Sequence, residues 1–367
     1  MLRLEARPTP SRLMRAATPV LAVLGTMILG GILFAILGKN PIEALKVIFI
    51  DPLLDWYSFT ELLVKAAPLI LIAIGLSFGF RAGIWNIGAE GQFIIGALAG
   101  GAVGLAFYDT PGIWLLPLMA LAGILGGVAW AMIPAILKIR YNANEILVSL
   151  MLVYVATLLL SALVSGPLRD PDGFNFPESR LFHDSATLPI MLSGSRVHIG
   201  VLVALLTVIA GYILLELHVF GFQVKLTGSA PKAARFGGVN SKLITAACLG
   251  ISGGLAGLAG MFEASGPVGQ LVPALPVGYG FTAIIVAFLG RLNPVGILFA
   301  GLVVALTYVG GENAQLFLQM PKAAIDIFRG LLLFFLLGMD IFINYRIVGR
   351  HAHDADIAAA HAEKKAS

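Results

Sequence analysis

Long apolar runs, separated by short polar segments, recur along almost the whole chain. They are continuous, without the alternation of every second residue that marks the strands of a membrane β-barrel. Most approach the roughly 20 residues that a helix needs to cross a bilayer. The pattern predicts an all-α fold, a polytopic transmembrane helical bundle of about ten spans. The predicted spans are 18–38, 66–82, 87–107, 113–137, 146–165, 199–217, 243–262, 280–290, 295–309 and 326–345.

Composition supports a lipid environment. Of the 367 residues, 58% are hydrophobic and only 12% are charged, and the mean hydropathy is +0.92. A soluble domain is roughly half apolar and about a quarter charged. The first run, 18–38, is longer than the apolar part of a signal peptide and is interpreted as a retained helix. The single cysteine, Cys248, excludes an intrachain disulfide and is interpreted as a small packing residue.

Basic residues predict the orientation of the bundle. Arg3, Arg7, Arg12 and Arg15 precede the first span, which places the N-terminus in the cytoplasm by the positive-inside rule. An even number of spans puts the C-terminus on the same side. The expected organisation is a cytoplasmic N-terminal arm at 1–17, a transmembrane domain at 18–345 and a cytoplasmic tail at 346–367.

Two segments on the predicted outer side are longer than simple connectors. Residues 39–65 are mixed in polarity and are expected to form an amphipathic helix on the membrane surface. Residues 166–198 are rich in Pro, Gly and Asp and predict an ordered or semi-ordered outer loop. That loop could receive a soluble partner, or it could be a solvated connector.

The run RAGIWNIGAEGQF, residues 81–93, places a carboxylate and two amides beside apolar spans. Ionisable groups in a membrane are costly and usually face the bundle interior or a water-filled path. One hypothesis pairs Glu90 with Arg81 at a turn near the inner face. The other is a broken helix beside a path, where Glu90 fixes the bend and Asn86 or Gln92 lies nearer the path.

Further polar residues lie at the ends of predicted spans. Asn144 and Glu145 open the fifth span, where capping would explain both. Glu263 precedes the Pro/Gly-rich run 264–280. The candidate substrate-path residues are Trp85, Asn86, Glu90, Gln92, Asn144, Glu145, Glu263, Glu312 and Asn313. Exposure at the outer mouth is the alternative for Glu263 and Glu312. Aromatic rings that could stack on a planar or sugar-like solute, or simply pack, are Trp85, Phe93, Tyr154, Phe281 and Phe288.

The basic segment HVFGFQVKLTGSAPKAARFGGVNSKL, residues 218–243, predicts a short helix outside the membrane. Ser229 precedes Pro231, as at a helix N-terminus, and Gly237 ends the pattern. A helix this short is not stable alone, but it can dock into a groove of another protein. A positive-inside loop would explain the charges without the helix signals.

Catalytic motifs are missing from the sequence. GxxxxGK[ST], HExxH and CxxC do not occur. The sequence therefore predicts a chain that is not an enzyme, holds no metal and binds no ATP of its own. His351, His353 and His361 are expected to belong to a solvated tail.

Four stretches give the chain a resemblance to a known family. They are GIWNIGAEGQFIIGA (83–97), NANEILVSLMLVYVA (142–156), TGSAPKAARFGGVNSKLITAACLGISGGLAGLAG (227–260) and GYGFTAIIVAFLGRLNPVG (278–296). The chain resembles the membrane permease subunits of ABC importers of the branched-chain amino acid, ribose and nucleoside type. The match is closest to nucleoside and simple-sugar permeases. Trp85 stands where the family usually has Phe, an aromatic replacement.

The resemblance implies a type II ABC-importer-like fold with broken helices in a bacterial inner membrane. It implies partners: a cytosolic ABC ATPase that binds ATP, a second permease subunit in a homo- or heterodimer, and an extracytoplasmic substrate-binding protein. Lipid is the remaining contact, and nucleic acid is not expected. The implied coupling helix, about 228–240, would contact the ATPase through Gly228, Ser229, Ala230, Lys232, Ala233, Ala234, Arg235, Gly237 and Asn240.

Two functions remain open at this point. The first is import of a nucleoside or simple sugar, driven by a separate ATPase. The second is an ion-coupled secondary transporter in which broken helices bind substrate at mid-membrane and Glu90 is a cation or proton site. A membrane-embedded enzyme has no catalytic constellation to support it.

Overall fold

The computed structural model describes residues 2–6, 12–110 and 112–349, and these are almost entirely helical. The chain divides into two compact units, residues 1–47 with 313–367, and residues 48–312. The described helices are α1 (Arg12–Ile36), α2 (Pro41–Phe49), α3 (Asp51–Leu54), α4 (Trp56–Arg81), α5 (Ala89–Ala106), α6 (Leu115–Tyr141), α7 (Glu145–Ser165), α8 (Ile199–Tyr212), α9 (Val219–Ser229), α10 (Pro231–Phe236), α11 (Ser241–Glu263), α12 (Tyr279–Leu289), α13 (Pro294–Leu318) and α14 (Lys322–Asn344).

The unit formed by the two chain ends is built on α1 and α14. Their contact includes the rings of Phe34 and Phe328, whose centroids are 5.2 Å apart. Two short strands, β1 (Leu2–Ala6) and β2 (Tyr345–Gly349), pair antiparallel. They are a small departure from the all-α prediction. The predicted histidine-bearing tail lies outside the described residues, which end at 349.

The core of the larger unit surrounds α4. This helix is apolar on every face and is almost wholly buried, as expected for a helix enclosed by others. It packs against α11 and α12, and α11 also crosses α5 and α6. The crossing of α11 with α6 needs glycine, because a Cβ on Gly257 would lie 2.2 Å from the carbonyl oxygen of Gly123. Small residues of this kind let helix backbones approach closely in lipid.

Each of the ten predicted spans falls on a helix, but ten crossings are not confirmed. Among the described residues, seven helical stretches are long and apolar enough to cross a membrane. They are Trp56–Arg81, Ala89–Ala106, Leu115–Tyr141, Glu145–Ser165, Ile199–Leu217, Ser241–Val268 and Pro294–Leu318. The apolar stretches Val20–Ile36 and Tyr279–Leu289 are shorter. The chain is thus a multi-pass helical membrane protein whose full count of spans stays a prediction.

The single amphipathic helix expected over 39–65 is wrong. The segment contains α2, α3 and the first ten residues of α4, which begins at Trp56 rather than near 66. Asp55 starts α4, because its carboxylate accepts a hydrogen bond from the Ser58 backbone N–H at 2.8 Å. That hydrogen bond also lowers the pKa of Asp55.

The loop 166–198, which was predicted to lie on the outer side, is ordered by backbone hydrogen bonds to the segment that follows α11. The N–H groups of Ser179, Phe182 and Leu188 donate to the carbonyl oxygens of Leu271, Gly269 and Ser265 at 2.8–3.0 Å. Its only regular structure is a 3₁₀ turn at Asp184–Ala186.

Two helices of the larger unit change geometry before they end. The last residues of α8 continue as a π-helical turn at Ile213–Leu217, and α11 continues as one at Ala264–Val268. π-turns inside long helices are frequent at functional sites. Residues 269–278 then run without helix to the start of α12. The interruption predicted at 264–280 is therefore present.

Candidate functional site

The amides of the 81–93 segment are buried and bonded to each other. Asn86 and Gln92 are both 1% exposed. The Asn86 Nδ2 group donates to Gln92 Oε1 and to Ser252 Oγ, each at 2.9 Å. The Asn86 Oδ1 atom accepts from the Gly88 backbone N–H at 3.0 Å and from Gln92 Nε2 at 3.2 Å. The two amides therefore fix the loop between α4 and α5 against α11.

Glu90 joins α5 to the start of α12. Its side chain is buried, and its two oxygens accept from the backbone N–H groups of Gly278 at 2.9 Å and Gly280 at 2.5 Å. These N–H groups flank the first residue of α12, so the carboxylate caps that helix from another helix. Gly280 is required by the close approach, because a Cβ there would lie 2.2 Å from the backbone nitrogen of Glu90.

The hypothesis that Arg81 pairs with Glu90 is wrong. The Arg81 guanidinium instead donates to Glu216 at 2.6 Å and to the carbonyl oxygen of Leu292 at 2.9 Å. Its partners follow α8 and α12, because the last turn of α4 faces those helices. Glu90, nine residues later, lies beyond the bend and faces the opposite end of α12.

Trp85 lies in an aromatic stack beside the buried amides. Its ring centroid is 5.6 Å from that of Phe288 and 5.2 Å from that of Phe80. Phe80 and Phe288 also stack, at 4.9 Å. Trp85 remains 43% exposed, so this stack forms part of a surface. Tyr154 and Phe281, also considered from the sequence, lie outside the stack.

Asn144 and Glu145 perform the helix-opening role considered for them. The Asn144 side chain accepts from the backbone N–H groups of Ile146 at 2.9 Å and Leu147 at 3.4 Å. Glu145 forms an ion pair with Lys138 at the end of α6. The pair closes the turn between α6 and α7.

The polar residues predicted for the outer mouth belong to a mixed-charge cluster. Lys65 Nζ contacts Glu312 Oε1 at 2.8 Å. Arg196 forms a bidentate pair with the buried Glu61, with 2.7 Å between Arg196 Nε and Glu61 Oε1. Glu263 lies within electrostatic range of both pairs. Asn313, the remaining candidate from the sequence, follows on α13 and belongs to the other unit.

Several residues of this mixed-charge cluster were missed from the sequence. Glu61, Lys65 and Arg196 were assigned to surface segments, where charges need no explanation. Glu61 and Arg196 are 135 positions apart in the chain, so no local pattern links them. The pair raises the pKa of the Arg196 guanidinium further above its ordinary value, chiefly through the Glu61 hydrogen bonds. Burial lowers the pKa of neighbouring His198 to about 4, so this imidazole is neutral at pH 7.

The short helix predicted between Pro231 and Gly237 is present, and a further helix precedes it within the 218–243 segment. The chain from Val219 to Ser229 forms α9, and α10 covers only Pro231–Phe236. The Ser229 hydroxyl does not cap α10, because it donates back to the Lys225 carbonyl oxygen at 2.8 Å within α9. Ala230 is the boundary residue, and Pro231 is the first helical position as predicted.

The end of α10 and the start of α11 follow the sequence prediction. Gly237 ends α10, and Gly238 takes a φ of +76° that favours glycine. The Asn240 side chain then caps α11 by accepting from the Lys242 and Leu243 N–H groups at 3.1 and 3.3 Å.

One face of α10 is anchored and the other is open. Ala234 is fully buried, whereas Lys232, Ala233, Arg235 and Phe236 are exposed, Phe236 to 95%. A cavity of about 810 Å³ adjoins the helix. Lys138, Lys232, Arg235 and Phe236 are among its lining residues, so the cavity is basic with an aromatic edge.

The α9–α10 segment rests on the end of α4. A Cβ placed on Gly228 would lie 2.1 Å from the Arg81 carbonyl oxygen, so the two backbones touch. The same Arg81 holds Glu216 and Leu292 through its side chain. Arg81 thus contacts both α9 and the segment that follows α12.

Similarity to known proteins was found over most of the chain. Residues 58–337 match the family described as "Branched-chain amino acid transport system / permease component". A glucose ABC transporter permease protein of Haloferax volcanii is 38% identical, covering 94% of this chain and 93% of its own length. A guanosine ABC transporter permease protein of Bacillus subtilis is 28% identical, with 88% and 93% coverage. A nucleoside ABC transporter permease protein of Lactococcus lactis is 26% identical, with 82% and 84% coverage.

No solved structure gave a significant match. Permeases of ABC transporters are membrane subunits rather than enzymes, and they work with a separate ATPase and a substrate-binding protein. The comparisons give no support to the ion-coupled alternative. The family model covers far more than half of the chain, and the structure supplies a multi-pass helical bundle: the chain belongs to the branched-chain amino acid transport system permease family and is an ABC transporter permease subunit.

Proposed function

We propose that this subunit forms the translocation path for a neutral nucleoside or simple sugar, and that α10 is where the separate ATPase docks and drives it. The solute class follows the relatives named for glucose, guanosine and nucleosides. ATP is bound by the partner, and this chain holds no cofactor.

The observation that carries the docking proposal is Phe236. A phenylalanine exposed to 95%, at the end of a six-residue helix, gains by burial in a partner's apolar pocket. Lys232 and Arg235 flank it, so the complementary groove of the ATPase carries carboxylates beside an apolar floor. The buried Ala234 keeps α10 close to this chain, where a bulkier residue would lift it away.

Movement of α10 reaches the membrane helices through the contact of Gly228 with Arg81. When the ATPase closes, α9 and α10 move as a rigid body and displace the end of α4. Arg81 passes this displacement to Leu292, at the end of α12. Asn86, Gln92 and Glu90 keep the other side of the bend fixed, and in this proposal they brace the path rather than touch solute.

The proposed topology places the 218–243 segment and both termini in the cytoplasm, with ten spans in a bacterial inner membrane. A second permease subunit completes the path. The binding protein docks on the outer side, where the ordered loop 166–198 exposes Phe174 to 93% and Phe176 to 63%.

The test is the substitution Phe236→Ala in the assembled transporter. We expect the permease to reach the membrane in normal amount, because the exposed ring stabilises nothing within this chain. Co-purification of the ATPase and ATP-driven uptake of guanosine or glucose are both expected to fall at least about tenfold. The matched control is Phe299→Ala, which removes an exposed ring on a different helix, α13. It should leave both ATPase co-purification and solute uptake unchanged.

Two outcomes would contradict this proposal. Normal ATPase association and uptake in the Phe236→Ala variant would show that α10 is not the docking element. Uptake that follows an ion gradient and needs no ATP would support the ion-coupled alternative instead.

A further inference from the structure

Glu263 is a carboxylate without a hydrogen-bonding partner in the described part of the chain. It is the last residue of α11, immediately before the π-helical turn, and its side chain is only partly exposed. The two nearby cations are already engaged, since Lys65 pairs with Glu312 and Arg196 pairs with Glu61. An ionisable group within a spanning helix is costly unless it faces a polar path. The Glu263 carboxylate can therefore accept hydrogen bonds from a solute in the path.

Tyr279 presents a second unused polar group to the same place. It is the first residue of α12 and is 3% exposed, yet its hydroxyl has no hydrogen bond among the residues that the structure describes. Glu263 lies one turn after Gly260, where an added Cβ would be 1.9 Å from the carbonyl oxygen of Phe93, and the Phe93 ring in turn meets the ring of Tyr279. The hydroxyl oxygen is not sealed off, since among the described residues the buried side-chain polar atoms without a partner are Trp130 Nε1 and Ser265 Oγ. The backbone on either side of Tyr279 is held by Glu90, which accepts from the N–H groups of Gly278 and Gly280.

Aromatic rings and a hydroxyl pair complete this cluster. The Tyr308 ring centroid lies 6.0 Å from that of Tyr279, and the Phe93 ring meets Tyr279 edge-on at 6.0 Å. The hydroxyls of Tyr308 and Thr282 are 3.0 Å apart and hydrogen-bond to each other. Four helices, α5, α11, α12 and α13, thus bring one carboxylate, three hydroxyls and aromatic faces together.

The charge of the surroundings limits the ligand. The Glu61 and Glu312 carboxylates are paired with Arg196 and Lys65, whereas Glu263 adds a carboxyl group to which no cation among the described residues is paired, so the group has no excess of positive charge. Such a region repels phosphate and other anions. A neutral polyol suits it, because a carboxylate accepts from two adjacent hydroxyls and aromatic rings cover the C–H face of a sugar ring.

We infer that Glu263, Tyr279, Tyr308 and Thr282 form the transit site that binds the sugar ring of an unphosphorylated nucleoside or hexose inside the path. This inference rests on the proposed function and adds the residues that recognise solute. Glu263 accepts from two vicinal hydroxyls, and the Tyr279 hydroxyl bonds to a ring substituent. Because α12 carries Tyr279 and Thr282, the displacement that reaches Leu292 also changes this site.

The experiment uses the complete transporter, with ATPase, second permease and binding protein, in proteoliposomes. ATP-driven uptake is measured for guanosine against 2′-deoxyguanosine and for glucose against 2-deoxyglucose, each at a concentration that saturates the binding protein. The variants are Glu263→Gln and Tyr279→Phe, which change one oxygen-bearing group each and keep the side-chain size. The matched controls are Glu43→Gln and Tyr154→Phe, at exposed positions away from the cluster.

We expect Glu263→Gln to lower uptake of the fully hydroxylated solute about tenfold or more, and Tyr279→Phe to lower it several-fold. Uptake of the deoxy analogue, which already lacks one hydroxyl, is expected to fall far less. The ratio of hydroxylated to deoxy solute uptake therefore falls towards one. Both controls keep the uptake and the solute preference of the unaltered transporter.

The outcomes separate this inference from the proposed function. Uptake of neither guanosine nor glucose by the unaltered transporter would overturn the proposed solute class and the transit site with it. Normal uptake by the unaltered transporter, with unchanged preference in both variants, would overturn the transit site alone. Equal losses for hydroxylated and deoxy solutes would also overturn it, because they would indicate a purely structural role.

Discussion

The carboxylate of Glu90 accepts a hydrogen bond of 2.5 Å from the backbone N–H of Gly280, across 190 positions of the sequence. A second bond joins it to Gly278, so one side chain of α5 caps the N-terminus of α12. At its other end, α12 is followed by Leu292, whose carbonyl oxygen is held by Arg81. Residues on either side of the bend between α4 and α5 therefore bond to both ends of the α12 segment, whose 11-residue helix spans only about half of a bilayer.

The Glu90 cap predicts a stability effect. Glu90→Gln turns one acceptor oxygen into an N–H₂ group that faces another N–H donor. Because charge-assisted bonds contribute about 1.5–3 kcal/mol each, the variant should unfold several degrees earlier in detergent, as measured by thermal denaturation of the purified complex. Glu43→Gln, an exposed carboxylate, is the control. A Glu90→Gln protein as stable as the unaltered one would contradict the cap.

The Arg81 link predicts a loss of coupling rather than of assembly. Arg81→Gln removes the ion pair with Glu216 and the bond to Leu292 but leaves α10 and its exposed face intact. We expect the ATPase to co-purify normally while solute uptake per ATP hydrolysed falls several-fold. The control is Arg329→Gln, which removes the arginine of the Arg329–Asp326 ion pair on α14. It should leave the ratio of solute uptake to ATP hydrolysis unchanged. An unchanged ratio for Arg81→Gln would exclude this route of transmission.

The Glu61–Arg196 pair predicts a measurable pairwise energy. Arg196→Met leaves the Glu61 carboxylate, which is 5% exposed, without its bidentate partner. Because the Arg196 side chain itself is about half exposed, we expect a loss of about 1–3 kcal/mol, below that of a fully buried pair. The double variant Glu61→Gln with Arg196→Met should recover part of the loss, which a double-mutant cycle on unfolding measures. Additive losses would show that the two residues do not interact.

His198 predicts a dependence of stability on pH. Its imidazole is buried, its Nδ1 accepts from the Gly200 N–H at 3.1 Å, and its pKa is lowered to about 4. The unfolded chain, with a pKa near 6.5, binds the proton first as the pH falls. The contribution of His198 is therefore complete above about pH 6.5 and declines towards pH 4, by at most about 1.4 kcal/mol per pH unit.

Thermal denaturation of the complex between pH 7 and pH 4 measures this decline. His198→Asn, which keeps a short side-chain acceptor, should show a shallower slope over the same range. His218→Asn is the control, because His218 makes the same kind of bond to Phe220 at an exposed position. Equal slopes for the unaltered and His198→Asn proteins would contradict the prediction.

Patterns that act within a few residues were predictable. The interruption after Glu263 follows from its glycines and prolines, and Asn144 caps α7 as its position before an apolar run indicates. Ser229 was predicted to cap α10, but its hydroxyl bonds within α9 instead, because the preceding residues are themselves helical. The early start of α4 was also missed. Its first turns carry Glu61 and Lys65, whose charges are compatible with a spanning helix only because Arg196 and Glu312 compensate them.

By itself the sequence determined that this is a helical membrane protein, where its helices lie and which family motifs it carries. Those properties depend on composition, on the length of apolar runs and on contacts between residues close together in the sequence. The tertiary structure alone decided which polar groups meet. Glu90 bonds to Gly280 rather than to Arg81, and Glu61 pairs with Arg196 across 135 positions. The reason is that a buried polar group takes whatever partner helix packing brings within reach, and packing joins residues far apart in the chain.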